Sequence, residues 1–166
     1  MKTIIQQRIS ALRESMKHFG LGAYIIPSSD PHLSEYPADC WKSRQWISGF
    51  TGSAGTVVVT ADKAGLWTDS TYFLQASKEL EGSGIELYKT GLPETPGIAA
   101  FLLRNLNENE TVGLDGQTYS VADAVELNSV LKKKKISLDV SRDLIHAIWK
   151  DRPALPGGML FELPIE

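Results

Sequence analysis

The residues best suited to catalysis lie in one polar stretch, over residues 28–55. Asp30 and His32 lie two positions apart in this stretch, and Ser53 follows inside a glycine-rich turn. These are the residue types of a nucleophilic triad, in which histidine takes the serine proton and aspartate orients the histidine. No G-x-S-x-G elbow surrounds Ser53, however, so we interpret Asp30 as the start of an Asx turn before Pro31.

The glycine-rich turn over residues 49–55 is close in composition to a phosphate-binding loop. Phosphate loops follow a strand and open a helix, so that backbone amides and the helix dipole face the anion. Here the turn leads into the β-branched run over residues 56–60, and no Gly-Lys-Ser/Thr follows it. We therefore predict a tight connection with a positive φ angle at one or more of its glycines.

Few residues are available as ligands for a metal ion. The chain has three histidines and one cysteine, Cys40, which excludes an internal disulfide and a cysteine-rich zinc site. A two-metal hydrolytic site needs about five converging carboxylate and imidazole ligands. Asp69, Asp115 and Asp139 lie near predicted strand ends, where we interpret them as capping or turn residues. The residues therefore predict no metal site within this chain.

The composition is that of a globular protein. The 166 residues are 42% hydrophobic and 22% charged, which is typical of one folded domain. The net charge of −3 disfavours a nucleic acid or an anionic membrane as a partner. We interpret the lysine run over residues 132–135 as a solvated helix end. We expect no signal peptide and no membrane span, and hence a cytoplasmic protein.

Hydrophobic periodicity predicts an alternation of strands and helices. An amphipathic helix ending at Gly20 carries five apolar residues on one face: Ile5, Ile9, Leu12, Met16 and Phe19. Strands are predicted over residues 23–26, 56–60, 64–68, 85–89, 111–114 and 136–140. Helices are predicted over residues 40–47, 96–103, 121–132 and 142–149, and one more helix is predicted to be capped by Asp69 or Ser70, with Phe73, Ala76 and Leu80 facing inward. This order predicts an α/β fold with a mixed, mainly parallel sheet of about six strands flanked by helices.

The four tryptophans divide into two groups. Trp67 lies in a predicted strand and Trp149 on the apolar face of a predicted helix, so both are expected in the core. Trp41 and Trp46 flank the polar stretch and are the better candidates for an interface.

The alternating pattern stops after Trp149. Residues 151–158 are rich in proline and glycine, which is typical of a linker. We predict one domain over residues 1–150. Residues 151–166 are predicted to form a linker and the start of a following domain that this chain does not contain.

Four motifs of the chain resemble those of the larger Xaa-Pro aminopeptidases (aminopeptidase P), members of the creatinase/prolidase superfamily. Residues 29–36, S-D-P-H-L-S-E-Y, resemble their S-D-P-H-x-S-E-Y, and residues 48–56 resemble their S-G-F-x-G-S-A-G-T. Residues 66–76 resemble their W-T-D-x-R-Y-F-x-Q-A. Residues 148–153 resemble the I-W-x-x-R-P that closes the family's first domain. The motifs occur in the family's order and cover nearly the whole chain.

The resemblance implies the creatinase-like fold of the family's N-terminal domain and a non-catalytic role. In the family, a separate C-terminal domain holds two divalent metal ions, expected to be manganese. That domain removes the N-terminal residue from peptides with proline in second position. This chain is therefore expected to contain no catalytic or metal-binding residue and to be inactive alone. The resemblance further implies a homodimer, with this domain contributing the cleft wall, substrate gating and dimer contacts.

The same motifs imply six candidates for the substrate cleft: Asp30, His32, Trp67, Asp69, Thr71 and Tyr72. Five of them match the family pattern, whereas Thr71 occupies the position where the family has arginine. That arginine is the family residue expected to reach the substrate. Threonine removes a charge that could contact a peptide carbonyl or carboxylate.

Two other functions remain open from the sequence. The same creatinase-like fold serves without catalysis as an interaction surface in a histone-chaperone subunit, so a protein-interaction module is the main alternative. A stand-alone α/β domain that binds a small ligand is the weaker one. The S-D-P-H-L-S-E-Y run favours the peptidase branch over both.

Overall fold

The computed structural model describes residues 2–159 and 162 of the chain. These described residues form six α-helices: α1 (Lys2–His18), α2 (Ser43–Ser48), α3 (Phe73–Glu79), α4 (Ile98–Asn105), α5 (Val121–Leu131) and α6 (Leu144–Ile148). They also form six strands: β1 (Ala23–Pro27), β2 (Thr56–Thr60), β3 (Ala64–Thr68), β4 (Glu86–Lys89), β5 (Thr111–Leu114) and β6 (Ser137–Asp139). Short 3-10 turns lie over Asp39–Trp41, Ser70–Tyr72, Gly116–Thr118 and Lys132–Lys134.

One mixed sheet joins these strands in the order β4-β3-β2-β1-β5-β6. Parallel pairs form between β1 and β5, β5 and β6, and β3 and β4, whereas β2 is antiparallel to both β1 and β3. Five strands therefore run in one direction, and β2 alone runs against them. The predicted fold class, a mixed and mainly parallel six-stranded sheet flanked by helices, is confirmed.

The reversed strand β2 follows from its local sequence. Its three central valines are fully buried, and β-branched residues favour a central strand. A short turn then joins β2 to β3. In this turn the Thr60 hydroxyl donates to the Asp62 carboxylate at 2.9 Å and accepts the Lys63 amide at 3.0 Å. These local hydrogen bonds favour the hairpin and hence the antiparallel pairing.

Helices cover both faces of the sheet, because side chains along a strand point alternately to its two faces. One core lies against α1, α2, α3 and α6 and includes Leu12, Leu66 and Leu144. The other lies against α4 and α5 and includes Trp67 and Leu102. Adjacent residues of β3, Leu66 and Trp67, thus belong to different cores.

Buried Tyr24 joins the central strand β1 to the segment that begins α6. Its hydroxyl donates to the Arg142 carbonyl at 2.6 Å and accepts the Leu144 amide at 3.0 Å. Burial raises the pKa of Tyr24 far above its usual value. The phenol therefore stays protonated at neutral pH and makes both hydrogen bonds.

The amphipathic N-terminal helix is confirmed, except for the last residue of its predicted apolar face. The four preceding residues of that face are buried: Ile5, Ile9, Leu12 and Met16. Phe19 follows the end of α1 and is 40% exposed. Helical spacing no longer sets its direction there, and the Arg142 guanidinium lies 4.6 Å from the centroid of its ring.

The predicted core positions of Trp67 and Trp149 are confirmed, and the interface role of Trp41 and Trp46 stays a prediction. Trp67 and Trp149 are buried, at 5% and 8% exposed, and Trp41 is half-buried. Trp46 is also half-buried, and its ring stacks on that of Trp149 with centroids 5.2 Å apart. Trp46 therefore packs against the core as well as reaching the surface.

The lysine run differs in part from the solvated helix end that its sequence predicts. The Lys134 ammonium donates to the carbonyls of Leu103 and Leu106 at 2.8 Å and 2.6 Å. Carbonyls at the end of a helix lack intrahelical partners. Lys134 thus satisfies the end of α4 and ties it to the segment after α5.

Past α6, residues 151–159 form no helix or strand. Residues 160, 161 and 163–166 of the predicted linker and following domain lie outside the described residues. The division of the chain at residue 150 stays a prediction.

Candidate functional site

The polar stretch singled out in the sequence lies at the carboxyl-terminal edge of the sheet. Strands β1 and β3 end at this edge, and the reversed strand β2 begins there. The register accordingly aligns Pro27 with Thr56 and Thr56 with Trp67. The loop after β1, the turn before β2 and the 3-10 turn after β3 therefore meet. Open α/β sheets generally bind ligands at this edge.

Hydrogen bonds fix the glycine-rich turn, residues 49–55, between β1 and β3. The Ser28 amide and the Ser28 hydroxyl both donate to the Gly55 carbonyl, each at 2.9 Å. From the other side, the Thr68 hydroxyl donates to the Ala54 carbonyl at 2.7 Å. The turn is thus part of the sheet edge, joined to the strand end on either side.

A cleft of about 290 Å³ opens at this edge. Its walls are the loop after β1, the segment from the first 3-10 turn into α2, and the glycine-rich turn. Tyr36, Pro37 and Trp41 give it apolar surface, and Glu35 and Lys42 give it charge. Aromatic and proline surface beside a few polar groups suits an extended peptide.

Arg44 holds the glycine-rich turn from the α2 side. Arg44 is 5% exposed, and its Nε donates to the Ser28 hydroxyl at 2.7 Å. The two terminal nitrogens donate to the carbonyls of Phe50 and Gly52. Burial lowers the pKa of Arg44 to about 10, so the group keeps its charge at neutral pH. A planar guanidinium bonds three acceptors in fixed directions, which the single ammonium of lysine cannot do.

Glu79 of α3 holds the same turn from the opposite side. Its carboxylate accepts the Thr51 amide at 2.8 Å and the Thr51 hydroxyl at 2.7 Å. Gln75 donates to the same hydroxyl at 2.8 Å and to the carboxylate at 3.1 Å. Burial raises the pKa of Glu79, but the bonds from Thr51 and Gln75 and the charge of Arg44 together hold it below its usual value.

Two glycines of the turn are required by geometry. Gly49 has a φ angle of +73° and ends α2, a left-handed conformation that confirms the predicted positive φ. A Cβ atom at Gly52 would lie 2.7 Å from Cδ1 of Tyr72 and would also overlap the Phe50 ring. The turn therefore packs directly against these aromatic rings.

Asp30 forms the Asx turn that its sequence predicts. It is 6% exposed, and its Oδ1 accepts the amides of His32 at 2.9 Å and Ser34 at 3.0 Å. The Ser34 bond, more than any other contact, lowers the pKa of Asp30 below its usual value. The His32 side chain is exposed. Across the described residues, no hydrogen bond joins His32 to Ser53, so the geometry gives no support to a triad.

Thr71 and Tyr72 lie in the 3-10 turn after β3, and Asp69 caps that turn. Asp69 accepts the Thr71 amide at 2.9 Å, and both residues are exposed. The Tyr72 hydroxyl lies 2.7 Å from that of Ser53, which lines the cleft. Among the described residues that line the cleft there is none of the six predicted candidates, and Tyr72 contacts the cleft wall through Ser53.

Trp67 lies away from the cleft. Its ring stacks on Tyr88 with centroids 4.1 Å apart and meets Phe101 edge to face at 5.0 Å. Its indole nitrogen donates to the Pro96 carbonyl at 2.8 Å. The structure therefore places Trp67 in the core against α4, on the opposite face of the sheet from Tyr72.

Sequence reasoning missed Arg44 and Tyr36 as parts of this site. Tyr36 ends the motif over residues 29–36 and is 79% exposed, which is unusual for a large aromatic side chain. A hydrogen bond with Glu35 raises the pKa of Tyr36. The motif itself was the available signal for Tyr36. No local pattern marks Arg44, because its three acceptors come from outside its own helix.

The described parts of the chain contain no group of three or more histidine, cysteine, aspartate or glutamate side chains placed to hold a metal ion. Asp69, Asp115 and Asp139 each accept a backbone amide nearby, as predicted for capping or turn residues. In the same described residues, no helix is both long and apolar enough to cross a bilayer.

The chain matches a known family over most of its length. A family model described as the creatinase/prolidase N-terminal domain matches residues 8–146. The chain therefore belongs to the creatinase/prolidase N-terminal domain family, as the resemblance of its motifs predicts.

Relatives of this chain are named as aminopeptidases. The chain is 41% identical to a probable Xaa-Pro aminopeptidase P of Laccaria bicolor and 44% identical to aminopeptidase P2 of Arabidopsis thaliana. Each match covers 96% of this chain but only 25% and 23% of the relative. The chain thus spans about a quarter of the length of these relatives.

A solved structure is similar over most of the chain. It is an X-prolyl aminopeptidase of Caenorhabditis elegans, described as a cytosolic enzyme with a di-nuclear active site. The TM-score is 0.85 at 31% identity, over 92% of this chain and 26% of that protein.

Replacing Arg44 with methionine is expected to lower the free energy of unfolding by at least about 2 kcal/mol, because the carbonyls of Phe50 and Gly52 lose their donors. Urea denaturation followed by circular dichroism measures the change. Arg104→Met, at an exposed position of α4, is the matched control. An Arg44→Met protein as stable as the wild type would show that the hydrogen bonds of Arg44 contribute little to the stability of the domain.

Glu79→Gln is expected to remove a pH-dependent part of the stability. A carboxylate whose folded pKa is depressed stabilises the fold above its unfolded pKa, and this stabilisation disappears as the pH falls through the folded value. The difference in the free energy of unfolding between wild type and Glu79→Gln should therefore be largest at pH 7 and should approach zero below about pH 4. Denaturation curves across this range test it, with Glu126→Gln as the control. A difference that is constant with pH would contradict the assignment.

Proposed function

We propose that this chain is the non-catalytic N-terminal domain of a metal-dependent aminopeptidase. The complete enzyme would release the N-terminal residue from peptides that have proline in second position. One observation carries the proposal: relatives named as Xaa-Pro aminopeptidases match 96% of the chain at 41% and 44% identity, while the chain spans about a quarter of their length. Whatever else those proteins contain lies outside this segment.

The chemistry of the proposed enzyme is assigned to another domain. Two divalent ions, expected to be manganese, would supply Lewis-acid chemistry there. The described residues of this chain do not fit such a centre, because they offer no cluster of ligands. The contribution of this chain is therefore to bind the peptide substrate and to exclude folded substrates.

The cleft supports a role in receiving the peptide. Tyr36, Pro37 and Trp41 form an apolar wall that an extended, proline-containing chain can pack against. The opposite wall is the glycine-rich turn, which Arg44 and Glu79 hold rigidly. A cleft of about 290 Å³ with one wall held in this way suits an extended segment better than a folded one. We assign substrate gating to this part of the domain.

Three further properties belong to the same proposal. The enzyme is a homodimer to which this domain contributes contacts. Its partner molecules are proline-containing peptides, with no nucleic acid and no membrane among them. It acts in the cytoplasm, which the description of the Caenorhabditis elegans protein as cytosolic supports. The relatives named above are peptidases, and this favours the enzyme over a protein-interaction module.

The first test separates this chain from the complete protein. The complete protein is expected to release the N-terminal residue from an Xaa-Pro peptide in the presence of manganese, whereas the 166-residue chain is expected to release none. Amino-acid analysis of the reaction mixture measures both. The reading frame beyond codon 166 is expected to encode the aspartate, histidine and glutamate ligands. A complete protein without those ligands and without turnover would favour the interaction module.

The second test addresses the cleft. In the complete protein, Tyr36→Ala is expected to raise KM for a pentapeptide about twofold to tenfold, the loss of one aromatic packing contact. The kcat of the Tyr36→Ala variant for a tripeptide should equal that of the wild type. Val125→Ala, at a comparably exposed residue of α5, is the control. Equal kinetics for Tyr36→Ala and wild type on both peptides would exclude this wall from substrate binding.

A further inference from the structure

Arg152 lies in the segment after α6, yet it is firmly attached to the domain. Its side chain is 11% exposed. One terminal nitrogen forms an ion pair with the Asp143 carboxylate, and Nε donates to the Cys40 carbonyl at 2.6 Å. Asp143 itself caps α6 by accepting the His146 amide at 2.9 Å. Arg152 thus connects the start of α6 to the 3-10 turn before α2.

Aromatic rings enclose the same guanidinium. It lies 5.4 Å from the ring centroid of Trp41 and 5.7 Å from that of Trp149. Trp149 stacks on Trp46, and the Arg8 guanidinium lies 4.3 Å from the Trp46 ring on α2. The side chains of Arg8, Trp46, Trp149, Arg152 and Trp41 therefore form a continuous stack that extends from α1 to the segment after α6. Cation–π contacts of this kind gain strength when they are removed from water.

Trp41 links this stack to the peptide cleft. It lines the cleft of about 290 Å³, and it also lines a second cavity of about 430 Å³. The second cavity is bordered by Arg152 and by the residues that follow it, as far as Leu155. Arg152 therefore contacts a turn whose Trp41 also lines the cleft. One short turn is shared between the cleft wall and the place where the chain leaves the domain.

We propose that Arg152 is a positioning residue that locks the wall of the peptide cleft to the segment leaving the domain. Without it, the Asp39–Trp41 turn and the segment after α6 move independently. Its consequence for catalysis rests on the proposed function, because the segment would lead to the rest of the enzyme. The cleft then keeps one orientation relative to the part of the enzyme that follows, which matters most for peptides long enough to reach beyond this cleft.

The local part of the proposal is testable on the 166-residue chain. Trp149 is 8% exposed, so chymotrypsin reaches the bond after it only when the segment opens. Loss of the charge-assisted bonds in Arg152→Gln is expected to raise cleavage after Trp149 about tenfold or more, as quantified by mass spectrometry. Arg152→Lys, which retains the charge, is expected to lie between the two.

Arg142→Gln is the matched control, since Arg142 also pairs with an aspartate, Asp139, at 3.4 Å and lies near the start of α6. It is expected to leave cleavage after Trp149 unchanged. Circular dichroism establishes that each variant is folded; if Arg152→Gln is not, Arg152→Lys carries the comparison. Equal cleavage of wild type and a folded Arg152 variant would overturn the proposal.

The functional part is tested in the complete protein. Arg152→Gln is expected to raise KM for a pentapeptide about threefold or more, with kcat for a tripeptide unchanged and partial rescue in Arg152→Lys. Unchanged KM, or an equal loss of kcat on both peptides, would overturn the positioning role. A wild-type protein that hydrolyses no Xaa-Pro peptide would instead refute the proposed function, and the cleavage assay would still decide whether Arg152 anchors the segment.

Discussion

The carboxyl-terminal edge of the sheet depends on one buried cation, the guanidinium of Arg44. A charge in the protein interior is costly unless its donors are satisfied. Here the acceptors are a hydroxyl at the end of β1 and two carbonyls of the glycine-rich turn. Because the guanidinium is planar, it fixes these acceptors relative to one another as well as binding them. The position of the turn, and with it the cleft wall, follows from this requirement.

Glu79 complements this arrangement without touching Arg44 directly. The anion grips Thr51, which lies between the two residues whose carbonyls the cation holds. The turn is therefore hydrogen-bonded to a cation of α2 on one side and to an anion of α3 on the other. Peptide groups between them are oriented so that carbonyls face the cation and the amide faces the anion. Such an arrangement gives rigidity to a segment that has no regular secondary structure.

Much of the fold could be predicted from the sequence, because periodicity reports directly on which face of an element is buried. The valines of β2 and the apolar stripe of α1 are examples. The residues that define the site were harder to predict. Arg44 looks like an ordinary polar helix residue until its distant acceptors are known. Trp67 lies in a motif beside Tyr72, yet strand alternation sends it to the opposite face.

The single reversed strand has a consequence for how this domain tolerates change. Since β2 alone runs against its neighbours, its entrance lies beside the exits of β1 and β3. Two connections, the one from β1 to β2 and the one that leaves β3, thus converge on one edge, whereas the hairpin between β2 and β3 occupies the other. Every strand pair of the sheet is formed by residues outside these two connections. The domain thus separates the sheet from the edge that forms the cleft, so the cleft can change while the architecture stays constant.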